Sequence, residues 1–108
     1  MQQDRVQVGV SSACFFPTET IHAVQKLAAW NIPNLEVFFN SPRELKEDYV
    51  QKLAQICKRA GIRVASVNPF TSGSETRYFF SEYPGRFEEG LEIYRNYFRA
   101  AQILGATL

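Results

Sequence analysis

Strand-like and helix-like patterns alternate along this chain in units of roughly 30 residues, and that alternation limits its fold more than any other feature. Val6-Gln7-Val8-Gly9-Val10 has the two-residue period of a strand. From Thr18, whose hydroxyl can cap a helix with Glu19 and Thr20 in its first turn, Ile21, Val24, Leu27 and Ala28 form one apolar stripe. Asn31 stands where helices end in a left-handed residue, and Pro33 keeps the helix from resuming. Leu35-Glu36-Val37-Phe38-Phe39 makes a second strand. Ser41-Pro42-Arg43-Glu44 reads as a capping box with proline at the first helical position, so a second helix is expected to start there. Its buried face would hold Leu45, Tyr49, Leu53, Ile56, Cys57 and Ala60, and Gly61 turns the chain into a third strand, Ile62-Arg63-Val64-Ala65-Ser66-Val67.

A longer connection, Asn68 to Gly85, leads to a third helix with an expected buried stripe of Phe87, Leu91, Tyr94, Phe98 and Ala101. Gly90 within it costs about 1 kcal/mol relative to alanine and points to close packing against a neighbour. Gly105 ends this helix, and Ala106-Thr107-Leu108 has the character of an opening fourth strand. Strands alternating with helices pair in parallel through right-handed crossovers, which makes the fold class α/β with parallel β/α repeat units. An open doubly wound sheet and a segment of a closed (β/α)₈ barrel both fit this rhythm. A nucleotide-binding open sheet carries glycines after its first strand, and Ser11-Ser12-Ala13-Cys14-Phe15-Phe16-Pro17 has none. Glu36 in the second strand, and Ser66 and Asn68 in step with Val64 on one face of the third, are the inward polar groups that a barrel site uses.

With 108 residues the chain is less than half of a complete barrel, which takes about 250. Hydrophobic residues at 45 % and charged residues at 21 % allow a buried core. A net charge of +1 with no Lys/Arg cluster argues against nucleic acid as a partner. The polar start Met1-Gln2-Gln3-Asp4-Arg5, without an apolar leader or membrane-length run, sets the expectation of a cytoplasmic protein without membrane partners. Cys14 and Cys57 fit no metal or redox spacing, so reduced thiols are expected.

Pro17-Thr18-Glu19-Thr20-Ile21, Leu35-Glu36-Val37-Phe38 and Asn68-Pro69-Phe70-Thr71-Ser72-Gly73 together resemble the xylose isomerase-like sugar phosphate isomerase/epimerase family of TIM barrels. Phe87-Glu88-Glu89-Gly90-Leu91 through Gly105-Ala106 is similar to that family's third helix running into its fourth strand. The resemblance spans nearly the whole chain in order. It implies that residues 1–108 are the N-terminal three βα units plus the start of the fourth strand of a (β/α)₈ barrel. It further implies a sugar or sugar-phosphate substrate and, in a complete barrel, a divalent metal (Mn, Mg, Co or Zn) held by later strands. The metal polarises substrate oxygens while a carboxylate moves a proton between adjacent carbons. This segment alone is expected to bind no metal and to be inactive.

Within that resemblance the substrate-binding candidates are Glu36, Asn68 and Phe70, and no catalytic residue is assigned. Glu36 occupies a strand-two position where related barrels carry an inward acid; a structural acid that orients its neighbours is the other reading. Asn68 stands where many members carry histidine, and an amide can bind a hydroxyl but cannot act as a proton-transfer base. Phe70, Tyr78, Phe79, Phe80 and Tyr83 crowd the loop after strand three, as a sugar-facing wall or as a small core of their own. Arg77 suits a phosphate or simply solvent, and Cys57 falls on a buried stripe. Cys14 has no histidine nearby in sequence to activate it, and His22 lies off the apolar stripe of its helix. Three parallel strands leave unpaired edges, so self-association or a complementing chain is expected. An apurinic-site endonuclease-like barrel segment and a small non-catalytic α/β binding module are the competing readings.

Overall fold

The computed structural model describes residues 6–69 and 74–107. Three parallel strands, β1 (Val10–Ser11), β2 (Asn34–Phe39) and β3 (Arg63–Pro69), stand in chain order, with helices α1 (Thr20–Ala29), α2 (Glu47–Ala60), α3 (Ser74–Tyr78) and α4 (Arg86–Leu104). The crossover helices lie on one face of the sheet. Leu35, Val37 and Phe39 of β2 alternate onto that face and are fully buried against Val24 and Leu27 of α1, Val50 and Leu53 of α2, and Tyr97 and Ala100 of α4. Asn34, Glu36 and Phe38 alternate onto the opposite face, which carries no helix among the described residues.

The helix stops fall where the local chemistry places them. Asn31, Gly61 and Gly105 adopt φ of 56°, 69° and 75°, the left-handed conformation that closes a helix, and Gly85 with φ 87° precedes α4. Strand β1 is shorter than the expected Val6–Val10 and shifted toward Ser11, because the chain leaves the sheet in a 3₁₀ turn, Ser12–Phe15. Ser12 takes over the ladder there, its Oγ accepting from the Phe38 amide at 2.8 Å. Gly9 makes the approach possible, since a Cβ at that position would stand 2.8 Å from the Asn34 carbonyl oxygen.

Two helix starts differ from the expectation for a single reason. Helix α2 begins at Glu47 rather than at Pro42, and Pro42–Leu45 is a 3₁₀ turn capped by Ser41, whose Oγ accepts from the Arg43 amide at 3.3 Å. The Glu44 carboxylate turns across the structure to the start of α1. There it accepts from the Thr20 amide at 3.0 Å, the Thr20 hydroxyl at 2.8 Å and the Asn40 amide at 2.7 Å. Helix α1 has no side-chain cap of its own, so Thr18 does not serve, and a negative charge from another loop satisfies its first amide and complements its dipole.

The buried stripe of α4 is Gly90, Tyr97, Ala100 and Leu104, about a quarter turn from the expected one. Phe87 and Phe98 remain exposed, and Leu91, Tyr94 and Ala101 are half-buried. Gly90 is the close contact its position suggested: α3 crosses α4 there, and a Cβ would meet the Tyr78 Cβ at 2.7 Å. Ala106 and Thr107 run beside the end of β3 without joining the sheet, so the fourth strand is not formed among the described residues; Leu108 lies outside them.

Candidate functional site

A β-bulge decides which polar groups share the open face of the sheet. Leu35 pairs with Val64 and Glu36 with Ser66, which leaves Ala65 as an extra residue in β3. Strict alternation would place Val64, Ser66 and Asn68 on one face. The bulge separates them: Val64 stays with Leu35 on the helix side, while Ser66 and Asn68 turn to the side of Glu36 and Phe38. From the strands' N-terminal to C-terminal ends, the open face therefore reads Asn34 with Arg63, Glu36 with Ser66, and Phe38 with Asn68.

Asn34, Arg63, Glu36 and Ser66 border a shallow hollow of about 480 Å³, lined also by Ser11 and Ala65, while Phe38 and Asn68 are not among its lining residues. The Ser66 hydroxyl faces Glu36 Oε2 at 3.5 Å, a separation that leaves the carboxylate with acceptor capacity to spare. Arg63 approaches Gln7 Oε1 at 3.4 Å and Asn34 Nδ2 donates to the Val8 carbonyl at 3.2 Å, tying the N-terminal segment across the lower end of the hollow. Asn68 is exposed near the C-terminal end of β3. A carboxylate acceptor, a hydroxyl and an amide on one face suit hydrogen bonding to a polyhydroxylated molecule.

Phe70 lies outside the described residues. His22 is exposed on α1, on the other side of the sheet, beside Glu19 at 3.6 Å. Among the described residues no three His, Cys, Asp or Glu groups converge to hold a metal. Glu36 is the one carboxylate in the hollow's lining, and its neighbours there are serines, amides and an arginine, a set that does not by itself make a cation site.

Cys14 is exposed on the 3₁₀ turn, and Cys57 is buried on α2, where burial pushes its thiol up to about 11. The aromatic residues after β3 divide. Phe79 packs edge-on against Phe87 and Tyr94, with centroids 5.6 and 5.1 Å apart, and so forms a small core with α4. Phe80 and Tyr83 stay exposed, with Arg86 stacked on Tyr83 at 5.0 Å. Arg77 is exposed to solvent.

Sequence reasoning missed the most densely bonded polar cluster, on the helix side. Tyr49 Oη accepts from the Ile21 amide at 3.0 Å and stands 3.1 Å from both Glu44 Oε2 and Glu19 Oε1. Burial first, then the two carboxylates, raises its phenol pKa. A hollow of about 330 Å³ lies over this cluster, lined by Arg43, Lys46 and Lys52 as well as the acids. Since Glu44 already accepts from both loops that meet there, the cluster is a structural joint. The Glu44 signal was present in the sequence, but its spacing from Ser41 pointed to a local partner.

The chain matches no protein-family model, no curated protein and no solved structure.

Proposed function

We propose that this chain contributes the first three βα units of a sugar isomerase/epimerase-type (β/α)₈ barrel, with Glu36, Ser66 and Asn68 as hydroxyl-binding groups on its inner wall. The observation that carries this reading is the bulge at Ala65, which aligns three polar side chains on the sheet face opposite every crossover helix. In a barrel the helix-free face of the sheet is the interior, and substrates bind toward the strands' C-terminal ends. Glu36 accepts from substrate hydroxyls, and Asn68 both donates and accepts without taking up a proton. Proton transfer then falls to groups outside these three strands, and the segment by itself is inactive. A divalent metal, in this reading, is held outside the hollow's lining.

One observation favours a small non-catalytic α/β module instead: Ala106 and Thr107 stay out of the sheet. A self-sufficient module would, however, cover both sheet faces, and among the described residues no helix covers one of them.

The deciding experiment is carbon-bound hydrogen exchange. A full-length protein carrying this chain is incubated in D₂O with aldoses, ketoses and their phosphates in the presence of added divalent metal. Deuterium uptake at a substrate carbon is expected, with Glu36→Gln raising KM at least about tenfold through one lost charge-assisted bond. No exchange with any sugar contradicts the reading.

A further inference from the structure

We infer that the hollow between α1 and α2 binds a free α-amino acid, whose carboxylate meets Arg43, Lys46 and Lys52 and whose ammonium meets Glu19. The hollow measures about 330 Å³, at the small end for a ligand pocket. Its walls are the start of α1, the turn between β2 and α2, and the first turns of α2. These elements already pack on one another, so the hollow is not an edge that awaits a later strand.

The first observation is that both signs of charge line the hollow without pairing. Glu19, Glu44 and Asp48 share its lining with Arg43, Lys46 and Lys52, yet among the described residues none of the three bases forms an ion pair. The acids are turned to other groups. Glu44 accepts from the Thr20 and Asn40 amides, Asp48 from the Tyr49 amide at 2.9 Å, and Glu19 lies against Tyr49 and His22. A carboxylate brought to the bases gains charge-assisted hydrogen bonds that the acids of the lining do not supply.

The second is a shortage of donors beside Tyr49. Its phenol has one proton, and two carboxylate oxygens, Glu19 Oε1 and Glu44 Oε2, stand 3.1 Å from its oxygen. That oxygen already accepts from the Ile21 amide. Glu44 has three further donors, the Thr20 amide, the Thr20 hydroxyl and the Asn40 amide, whereas Glu19 has only its share of the phenol proton and His22 at 3.6 Å. An N–H donor brought into the hollow completes the Glu19 carboxylate.

Together these demands set the ligand class. A simple anion is repelled by the acids and a simple cation by the bases, while a molecule with both charges suits both sets. Its cation must carry N–H, which excludes a quaternary ammonium. An α-amino acid is the smallest common molecule of this kind. The inference is independent of the sugar reading, because the hollow lies on the helix side of the sheet.

Titration of the ¹⁵N-labelled chain with each of the common α-amino acids, followed by amide chemical shifts, tests it. At least one should bind saturably below about 10 mM, with the largest shifts at Ile21, Arg43 and Tyr49. Sodium acetate and methylammonium chloride each carry one of the two charges, and glycine betaine carries both without an N–H. All three should bind at least about tenfold more weakly than that amino acid. Glu19→Gln and Arg43→Gln, both at exposed side chains, should each weaken binding about tenfold with unchanged far-UV circular dichroism. Lys58→Ala, near the other end of α2, should not weaken it. Absence of saturable binding by every amino acid overturns the inference, as does acetate, methylammonium or betaine binding equally tightly. Binding that survives either the Glu19 or the Arg43 substitution undiminished also overturns it, as do shifts confined to the open face of β2 and β3, a readout that needs no variant.

Discussion

The α1–α2 half of the helical layer and the α4 half are built on the same amphipathic logic, yet one is closed and the other half open. Under β1 and β2, two helices cover each other's flanks, and the residues between them are fully buried: Val24, Leu27, Val50 and Leu53. Their polar ends are joined as well, since Glu44 from one loop caps the helix that follows another. Beside β3, α4 has α2 on one flank and the small α3 on the other, and its Phe98 side faces a groove. An apolar stripe specifies that a face seeks cover. Which face receives it depends on how many neighbours the sheet supplies.

Substitutions can break this contrast. Leu53→Ala, at a site with no exposure and helices on both sides, should cost about 4 kcal/mol in urea denaturation. A loss under 1 kcal/mol would show that the closed half is loosely packed. Glu44→Ala strands the buried Thr20 amide and the half-buried Asn40 amide and should cost about 3 kcal/mol, with exchange at the first turn of α1 accelerating most.

Titration sharpens the contrast through Cys57. The folded thiol keeps its proton up to about 11, against an ordinary value of 9.0. Its contribution is therefore fully present below pH 9 and lost as pH rises through 11, about 3 kcal/mol in all. Tyr49 and Tyr97, both raised mainly by burial, add to the decline above pH 10. Denaturation midpoints at pH 8 and 11, compared with those of Cys57→Ala, isolate the thiol's share.

On the open side the effects are smaller. Gly90→Ala gains about 1 kcal/mol of helix propensity but drives a methyl to 2.7 Å from the Tyr78 Cβ. The expected result is a net loss of about 1 kcal/mol with α3 released from α4, visible as faster amide exchange at Arg77 and Tyr78. Phe98→Ser, at a side chain 60 % exposed, should change the stability by less than about 0.5 kcal/mol. A larger cost in dilute solution would mean that Phe98 is core.

The second and third strands, the helix stops and the tight contact at Gly90 were legible because each has a local cause: two-residue alternation, a left-handed turn, a missing Cβ. Cys57 on a buried stripe was legible for the same reason. The first strand was not, because the chain leaves the sheet at Ser12, nor was the fourth, which does not join the sheet among the described residues. The α4 face was displaced by a quarter turn because Phe87 and Phe98 outweigh Ala100 in hydrophobicity, while sheet geometry selects the face that fits against Phe39 and Val64. The start of α2 was missed because the capping-box pattern at Ser41–Glu44 cannot show that the Glu44 carboxylate has a better partner twenty-four residues upstream. In the candidate site, Glu36 was legible as a lone acid between apolar neighbours. The grouping of Ser66 and Asn68 with it, apart from Val64, depends on a bulge at an alanine, a residue without turn chemistry to announce it.

Deleting Ala65 tests that bulge, and with it the composition of the open face, most directly. Removing the extra residue leaves Ser66 opposite Glu36, Val67 opposite Val37 and Asn68 opposite Phe38. The shortened chain should therefore fold with a stability within about 1 kcal/mol of the parent. If β3 alternated without a bulge, Ser66 and Asn68 would lie beneath the helices and Val67 on the open face in the parent, and the deletion would exchange them. In a Cys14→Ser background, a thiol placed by Ser66→Cys should react equally fast with a thiol reagent in the parent and in the shortened chain; a thiol protected in the parent and reactive only after the deletion would contradict the account.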